Sequence, residues 1–309
     1  MCNLTQPQFQ DKETAREYLE ELRWPNGPVC PHCGDTGAWP IKGGRKGLYK
    51  CKQYECRKQF TVTVGTVFER SRVPLNKWLM ATYLMCSSKK GISAHQIHRT
   101  VGVTYKTAWF MCHRIRESMK EESNTPFGTG GGMVEVDETY MGNVKGHGKG
   151  PHTSKKRKIL ALVDRDTKRA RTMVVDKVNL ETIQPIVRKN LAREAKLMTD
   201  QAMLYKSIGP WFASHDTVNH SIKEYVNKQN PLLHTNTVEN YFSVFKRGMK
   251  GTYQHCAEHH LNRYLSEFDF RYNHRTKNGY DDAERADIAL RQIGGKRLTY
   301  QSSNAQQTV

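Results

Sequence analysis

The chain has 309 residues, with 49 Lys plus Arg against 30 Asp plus Glu and a net charge of +19. Such an excess suits a polyanion, because neutralising phosphates releases condensed counterions, so nucleic acid is the expected partner. No run reaches the ~18 apolar residues of a membrane span, and the opening MCNLTQPQFQDKETAREYLEELRW lacks the form of a signal peptide; no membrane partner is expected.

In chain order, the first 24 residues predict a short helix, with Tyr18, Leu19 and Leu22 on helical spacing. Alternation in LYKC and QFTVTV, with Gly43-Gly44 earlier in the segment, predicts short strands and a hairpin. Within this segment Cys30, Cys33, Cys51 and Cys56 form C-x2-C and C-x4-C pairs separated by 17 residues. Two such knuckles brought together by a hairpin offer four thiolates to one tetrahedral Zn²⁺. The alternative is four reduced thiols in a small domain without metal. Cys2, Cys86, Cys112 and Cys256 are scattered and read as free thiols, which together with the knuckles points to a reducing compartment. Lys42, Arg45, Lys46, Lys50, Lys52, Arg57 and Lys58 surround the knuckles and favour nucleic acid.

From Pro74 the pattern turns helical. LNKWLMATYLM is one helix, and GISAHQIHRTVGVTYKTAWFMCHRIRESM gives two more with Gly102 at the turn. Ser93 and Thr104 are the expected caps, and Ile97, Val101 and Val103 the expected contact between the helices. A helix-turn-helix of this kind would turn Tyr105, Lys106, Trp109 and His113 toward a DNA groove; a supporting bundle is the other reading. EESNTPFGTGGG, residues 121–132, has the composition of a linker.

Beyond it, strands and helices alternate, a mixed α/β order: strands in MVEVDETYMG, KILALVDRD, ARTMVVDKV, KLMTD and HDTVNH, and helices in NLETIQPIVRKNLAREA, QAMLYKSIGPWF, TNTVENYFSVFKRGMKG and HLNRYLSEFDFRYNHR. Alternation sets Glu135 and Asp137 opposite Val134 and Val136, and an inward acid on a central strand is costly without a cation. Asp200 ends a short apolar strand, the edge where α/β sheets place their sites, and Glu239 lies on a later helix. These three acids can hold two Mg²⁺ (or Mn²⁺) ions about 3.5–4 Å apart, clamping both oxygens of a phosphodiester displacement. Lys246, two helical turns beyond Glu239, can reach a neighbouring phosphate, while Arg247 points about 100° away toward more distant backbone. Asp216, Glu224 and Glu258 are rival third ligands, and Glu135 could replace or assist Asp137.

VEVDETYMG, LMTD, HTNTVENYFSVFKRGMKGTY, FRYNHR and GGKRLTY, together with the cysteine segment through QFTVTVGTVFE and PLNKW, resemble the DDE-type transposases of bacterial insertion sequences, in the zinc-ribbon subgroup related to eukaryotic Merlin elements. The likeness covers roughly residues 25 to 300, and its most specific parts are DETY and TNTVENYFSVFKRG. It implies an RNase H-like catalytic domain with Asp137, Asp200 and Glu239 on metal and Lys246 beside them. The four-residue second knuckle is a departure that touches only the ribbon. The domains expected are 1–68, N-terminal helix and zinc ribbon; 69–120, helix-turn-helix; 121–132, linker; 133–275, catalytic; and 276–309, C-terminal helix and disordered tail. The basic segment VKGHGKGPHTSKKRK, with Lys155, Lys156, Arg157 and Lys158, would clamp DNA near the site. The expected activity is binding of the element's terminal inverted repeats, 3′-end cleavage and joining to target DNA by a dimer or larger assembly in the bacterial cytoplasm, at the nucleoid. A nuclease that only hydrolyses, and a DNA-binding protein without chemistry, are the alternatives.

Overall fold

The computed structural model describes residues 4–121, 125–143, 156–218 and 233–299. The chain divides into two units, Met1–Lys120 with Gly279–Val309, and Glu121–Asn278. Lys155 and most of the expected basic clamp, Glu224, and the tail after residue 299 lie outside the described residues.

In the first unit, α1 (Pro7–Gln10) leads into α2 (Lys12–Arg23), whose start is fixed by the Asp11 side chain accepting from the Glu13 and Thr14 amides. The strands β1 (Ala38–Pro40), β2 (Tyr49–Cys51) and β3 (Gln59–Phe60) form an antiparallel sheet in that order. The expected QFTVTV strand therefore stops after two residues. Val62, Val67 and Phe68 beyond it are buried within turns, so its alternation records burial rather than sheet pairing. Three helices follow: α3 (Leu75–Ser87), α4 (Ala94–Val101) and α5 (Tyr105–Ser118). The Ser93 and Thr104 side chains cap α4 and α5, and Gly102, at φ +66°, closes α4 in a left-handed conformation that only glycine adopts without strain. Ile97, Val101, Ala108, Cys112 and Ile115 are buried.

The C-terminal helix α10 (Asp282–Arg291) belongs to this same unit rather than standing apart. A reciprocal Asp281–Glu284 cap starts it, and Ala286, Ala289, Leu290 and Ile293 are buried. The chain beyond α10 then bonds back to the segment after β3, through Val67 N–H to Ile293 O (3.1 Å) and Gly295 N–H to Gly65 O (2.9 Å). Such long-range backbone bonds have no local sequence signature.

The second unit is built on a five-stranded sheet: β4 (Met133–Asn143), β5 (Lys156–Asp164), β6 (Arg169–Val175), β7 (Lys196–Asp200) and β8 (Ser214–Val218), in the order β6-β5-β4-β7-β8. β5 pairs antiparallel with both β4 and β6, and β7 pairs parallel with β4 and β8. The parallel pairs need crossovers, supplied by α6 (Leu180–Asn190) and α7 (Met203–Ile208). Val134, Val136, Leu160, Leu162 and Leu197 form one face and pack with α6 and α7. Ile159, Ala161 and Val163 form the other and pack with α8 (Asn236–Gly248) and α9 (Leu261–Asn273).

Two expectations change here. Helix α6 ends at Asn190, short of the predicted Ala195, because Leu191 and Ala195 turn into the core. The linker composition also hides packing: Phe127 is buried in the same core, and its backbone bonds both Asn190 and Ala192 at 2.8 Å. Gly128, at φ +74°, passes so close to Ala195 that a Cβ would sit 2.4 Å from that methyl group. A stretch rich in glycine reads as linker even when close approach is what requires the glycine.

Asp269 on α9 joins three elements, accepting from the Tyr241 hydroxyl (2.6 Å) on α8 and the Thr172 amide (2.8 Å) on β6. Desolvation between α8, α9 and β6 pushes its carboxyl up to about 7 from a usual 3.8. Its folded-state pKa is thus raised, so the unfolded chain releases this proton first as pH rises. The contribution is fully present below about pH 4 and lost by about pH 7. Asp269→Asn, which cannot titrate, should therefore gain in melting temperature relative to wild type as pH rises across that window, in metal-free thermal scans. A constant difference would show that Asp269 is ionised throughout.

Candidate active site and zinc cluster

The sulfurs of Cys30, Cys33, Cys51 and Cys56 all lie within 4.8 Å of one another, with Cys30–Cys56 at 3.8 Å and Cys33–Cys51 at 3.5 Å. Thiolates about 2.3 Å from a tetrahedral Zn²⁺ stand about 3.8 Å apart, so the set has the spacing of one zinc site. Burial pushes the Cys51 thiol up to about 12, and its thiolate form needs a cation beside it. His32, inside the first knuckle, is exposed and outside the cluster.

In the second unit, Met133, Val134 and Glu135 pair with Lys196, Leu197 and Met198. Carried two residues further, this parallel register sets Asp137 level with Asp200, on the face covered by α8 and α9. The paired ladder ends at Glu135–Met198, so both acids lie beyond it at the edge where the strands part. Asp200, the last residue of β7, accepts from the Ala202 amide at 3.0 Å. Glu239 lies in the first turn of α8 and accepts from the Thr235 hydroxyl at 3.3 Å. Asp137, Glu138, Glu239, Ser243, Lys246 and Lys250 line one cleft of about 820 Å³.

The stripe Glu239–Ser243–Lys246–Lys250 follows from three- and four-residue helical spacing. Asp200 is not in the lining, yet its charge and that of Asp137 both reach Glu138, Tyr140 and Tyr205. Chiefly by burial, and with these two charges adding, Glu138 is pushed up to about 7. Arg247 is exposed, borders the cleft and bonds the Ser243 carbonyl at 3.1 Å.

The rivals fare differently. Glu135 is fully buried: Arg165 Nε donates to its Oε1 at 2.5 Å and the Val238 amide to its Oε2 at 2.8 Å. It is thus committed to a cation and to the Val238 amide in the first turn of α8, where a carboxylate also meets the positive end of the helix dipole. Its position ties β4 to the helix that carries Glu239. Removing one partner of such a buried pair costs about 3–5 kcal/mol, so Glu135→Ala should lose that much in urea unfolding; a loss below about 1 kcal/mol would mean the pair is dispensable. Asp216 pairs with Met198, one strand further out and set back from the edge. Glu258 is exposed in a short turn before α9 and does not line the cleft.

Of the four residues expected to face a DNA groove, one is buried. Tyr105 and Lys106 are exposed and Trp109 is half-buried, but His113 is only 1% exposed, with its ring 4.2 Å from that of Trp109. One turn further along α5 the helix has entered the core. The basic clamp also changes. Lys156, Arg157 and Lys158 are strand residues of β5, and Arg157 Nη1 donates to the Cys256 carbonyl at 2.7 Å.

Comparison with known proteins adds two family matches, an ISXO2-like transposase domain over residues 130–273 and a transposase zinc-ribbon domain over residues 10–59. The chain thus carries an ISXO2-like transposase domain preceded by a transposase zinc ribbon. It is also 26% identical, over 85% of its own length and 91% of the relative's, to an uncharacterised protein in transposable element ISH50 of Halobacterium salinarum.

Sequence reasoning passed over two groups in this transposase. Glu138 lines the cleft and accepts from the Tyr205 hydroxyl at 2.5 Å. Strand alternation was the available signal, since it sets Glu138 on the apolar face with Val136, where an acid must have a partner. Lys250 adds a second lysine to the stripe, one turn beyond Lys246. It stands in a turn of wider, π-type winding, Met249–Tyr253, anchored by the Tyr253 hydroxyl donating to Glu267 at 2.5 Å. Such turns often occur at functional sites.

Proposed function

We propose that this transposase is a DDE-type enzyme with an RNase H-like catalytic unit. It binds the terminal inverted repeats of its own insertion sequence, cleaves their 3′ ends and joins them to target DNA. The observation that supports this reading is the placement of acids on separate segments, two on neighbouring strands and one on the helix beside them. The β4–β7 register, extended two residues past its last pair Glu135–Met198, brings Asp137 level with Asp200, and Glu239 with Lys246 lines the same cleft as Asp137. The strand order, with β4 central and antiparallel to β5 but parallel to β7, also supports it.

The donor set is all oxygen, and the charges of Asp137 and Asp200 add to the burial that pushes up Glu138 beside them, which suits hard divalent cations. Asp137, Asp200 and Glu239 would hold two Mg²⁺ or Mn²⁺ ions, which when bound supply charge to the attacking and leaving oxygens of the phosphodiester. Lys246 holds an adjacent phosphate in line with the attack, and Lys250 and Arg247 extend that grip along the strand. The Glu135–Arg165 pair keeps α8, and so Glu239, at a fixed distance from β4. Hydrolysis and joining are both in-line displacements at phosphorus, so one set of residues serves both.

Recognition of the element ends falls to the first unit. The α4–α5 pair acts as a helix-turn-helix with Tyr105, Lys106 and Trp109 toward the groove. On the zinc ribbon, exposed Trp39 and Tyr54 stand beside Arg57, whose guanidinium lies 5.3 Å and 5.8 Å from their ring centres, a combination that suits DNA. Two ends must be joined together, so at least a dimer assembles on DNA. Incubating the protein with pre-cut ends, a target plasmid and Mg²⁺ should yield joined products. Nicked or shortened DNA without joining would make it a nuclease, and binding without either would make it a regulator.

A further inference from the structure

The segment Arg70–Val73 and the first turns of α5 enclose a pocket of about 330 Å³ in the first unit, lined by Arg70, Ser71, Arg72, Lys106 and Arg114 among others. Four cations and no carboxylate contribute to this lining. Arg114 is the informative member. It is only 8% exposed, yet its Nε and Nη1 donate to main-chain carbonyls, those of Leu298 (3.1 Å) and Glu69 (3.0 Å). Among the described residues no carboxylate oxygen comes within 4.0 Å of it. Burial, and the like charge of Arg297, hold its pKa down. A buried guanidinium is normally paired; this one is satisfied by dipoles and faces a pocket shared with further cations. The Glu69 carboxylate, whose charge reaches Arg114, is already engaged: one oxygen accepts from the Gly65 amide at 3.3 Å and the other lies 3.7 Å from Arg70 Nε.

The loop is also fixed in advance. Ser71 Oγ accepts from the Val73 amide (3.1 Å) and from Trp78 Nε1 (3.0 Å). Arg70 has φ +56°, a conformation that costs a non-glycine residue energy and persists only where its surroundings enforce it. Across the pocket, Lys106 and Thr107 belong to the first turn of a 14-residue helix, whose amides carry partial positive charge. A buried arginine without a carboxylate, three further cations around it and a helix N-terminus match a tetrahedral oxyanion.

We propose that this pocket is a phosphate subsite that seats a backbone phosphodiester of duplex DNA. It rests on the reading of the protein as a DNA-binding transposase and deepens it, because phosphate contacts fix register and orientation without reading sequence. Arg70 and Arg72 are exposed and stand outside the core, so their replacement spares the fold; Arg114, which ties down Leu298, is left in place.

The test is the salt dependence of binding to a duplex of random sequence, for the full chain loaded with zinc, comparing wild type with Arg70→Ala/Arg72→Ala. Each phosphate that is no longer neutralised lowers the slope of log K against log salt by about 0.9, equivalent to about eightfold in affinity at 0.1 M salt. The double variant should show between about one and two such steps. A slope equal to that of wild type, with or without weaker binding, overturns the subsite while leaving the transposase reading intact. Failure of the wild type itself to bind duplex DNA would instead remove the reading on which the subsite rests.

Discussion

Asp200→Asn should lower DNA cleavage and joining by more than about 100-fold while leaving end binding at its wild-type level. Loss of a partner one shell further out from a metal costs about 10–100-fold, so loss of a direct ligand must exceed that. Asp137→Asn and Glu239→Gln carry the same expectation. The comparison with binding matters because removing negative charge from a basic protein does not weaken its attraction to DNA. A variant that cleaves at the wild-type rate would take its residue out of the site. Lys246→Ala should behave differently: with no metal ligand removed, the loss falls on phosphate positioning and appears mainly at higher salt.

Chelation of zinc is the second large effect. A structural Zn²⁺ contributes about 10–16 kcal/mol of apparent binding free energy in small domains, and the strands of the β1–β3 sheet are only two or three residues long. Removing the metal should unfold the ribbon and abolish end binding. Cys51→Ser should reproduce the loss, since Cys51 is fully buried at the centre of that sheet. Four thiols titrating per chain only after chelation would support this account; a ribbon whose circular dichroism and melting survive chelation would refute the metal's structural role.

Much of the second unit was legible because its signals are local. Alternation in MVEVDETYMG gave both the strand and the face of Asp137, and the two-turn spacing gave the shared face of Glu239 and Lys246. The strand-end position of Asp200 was readable from a short apolar run meeting a helix. What escaped depended on distant partners. Glu135 reads as a possible ligand until Arg165, thirty residues away, is seen to hold it. His113 reads as a groove contact until the depth to which α5 is buried becomes known. Phe127 within EESNTPFGTGGG reads as linker because its backbone pairs with Asn190 and Ala192, more than sixty residues later. The membership of α10 in the first unit was hidden for the same reason.

The central claim is that Asp137, Asp200 and Glu239 together bind divalent ions that drive phosphoryl transfer. Mn²⁺ titration of the zinc-loaded protein bound to pre-cut end DNA, followed by electron paramagnetic resonance, tests it most directly. The account predicts that about two ions are taken up per active site, and that occupancy falls, together with joining, in Asp137→Asn, Asp200→Asn and Glu239→Gln alike. Undiminished uptake in all three variants would contradict it.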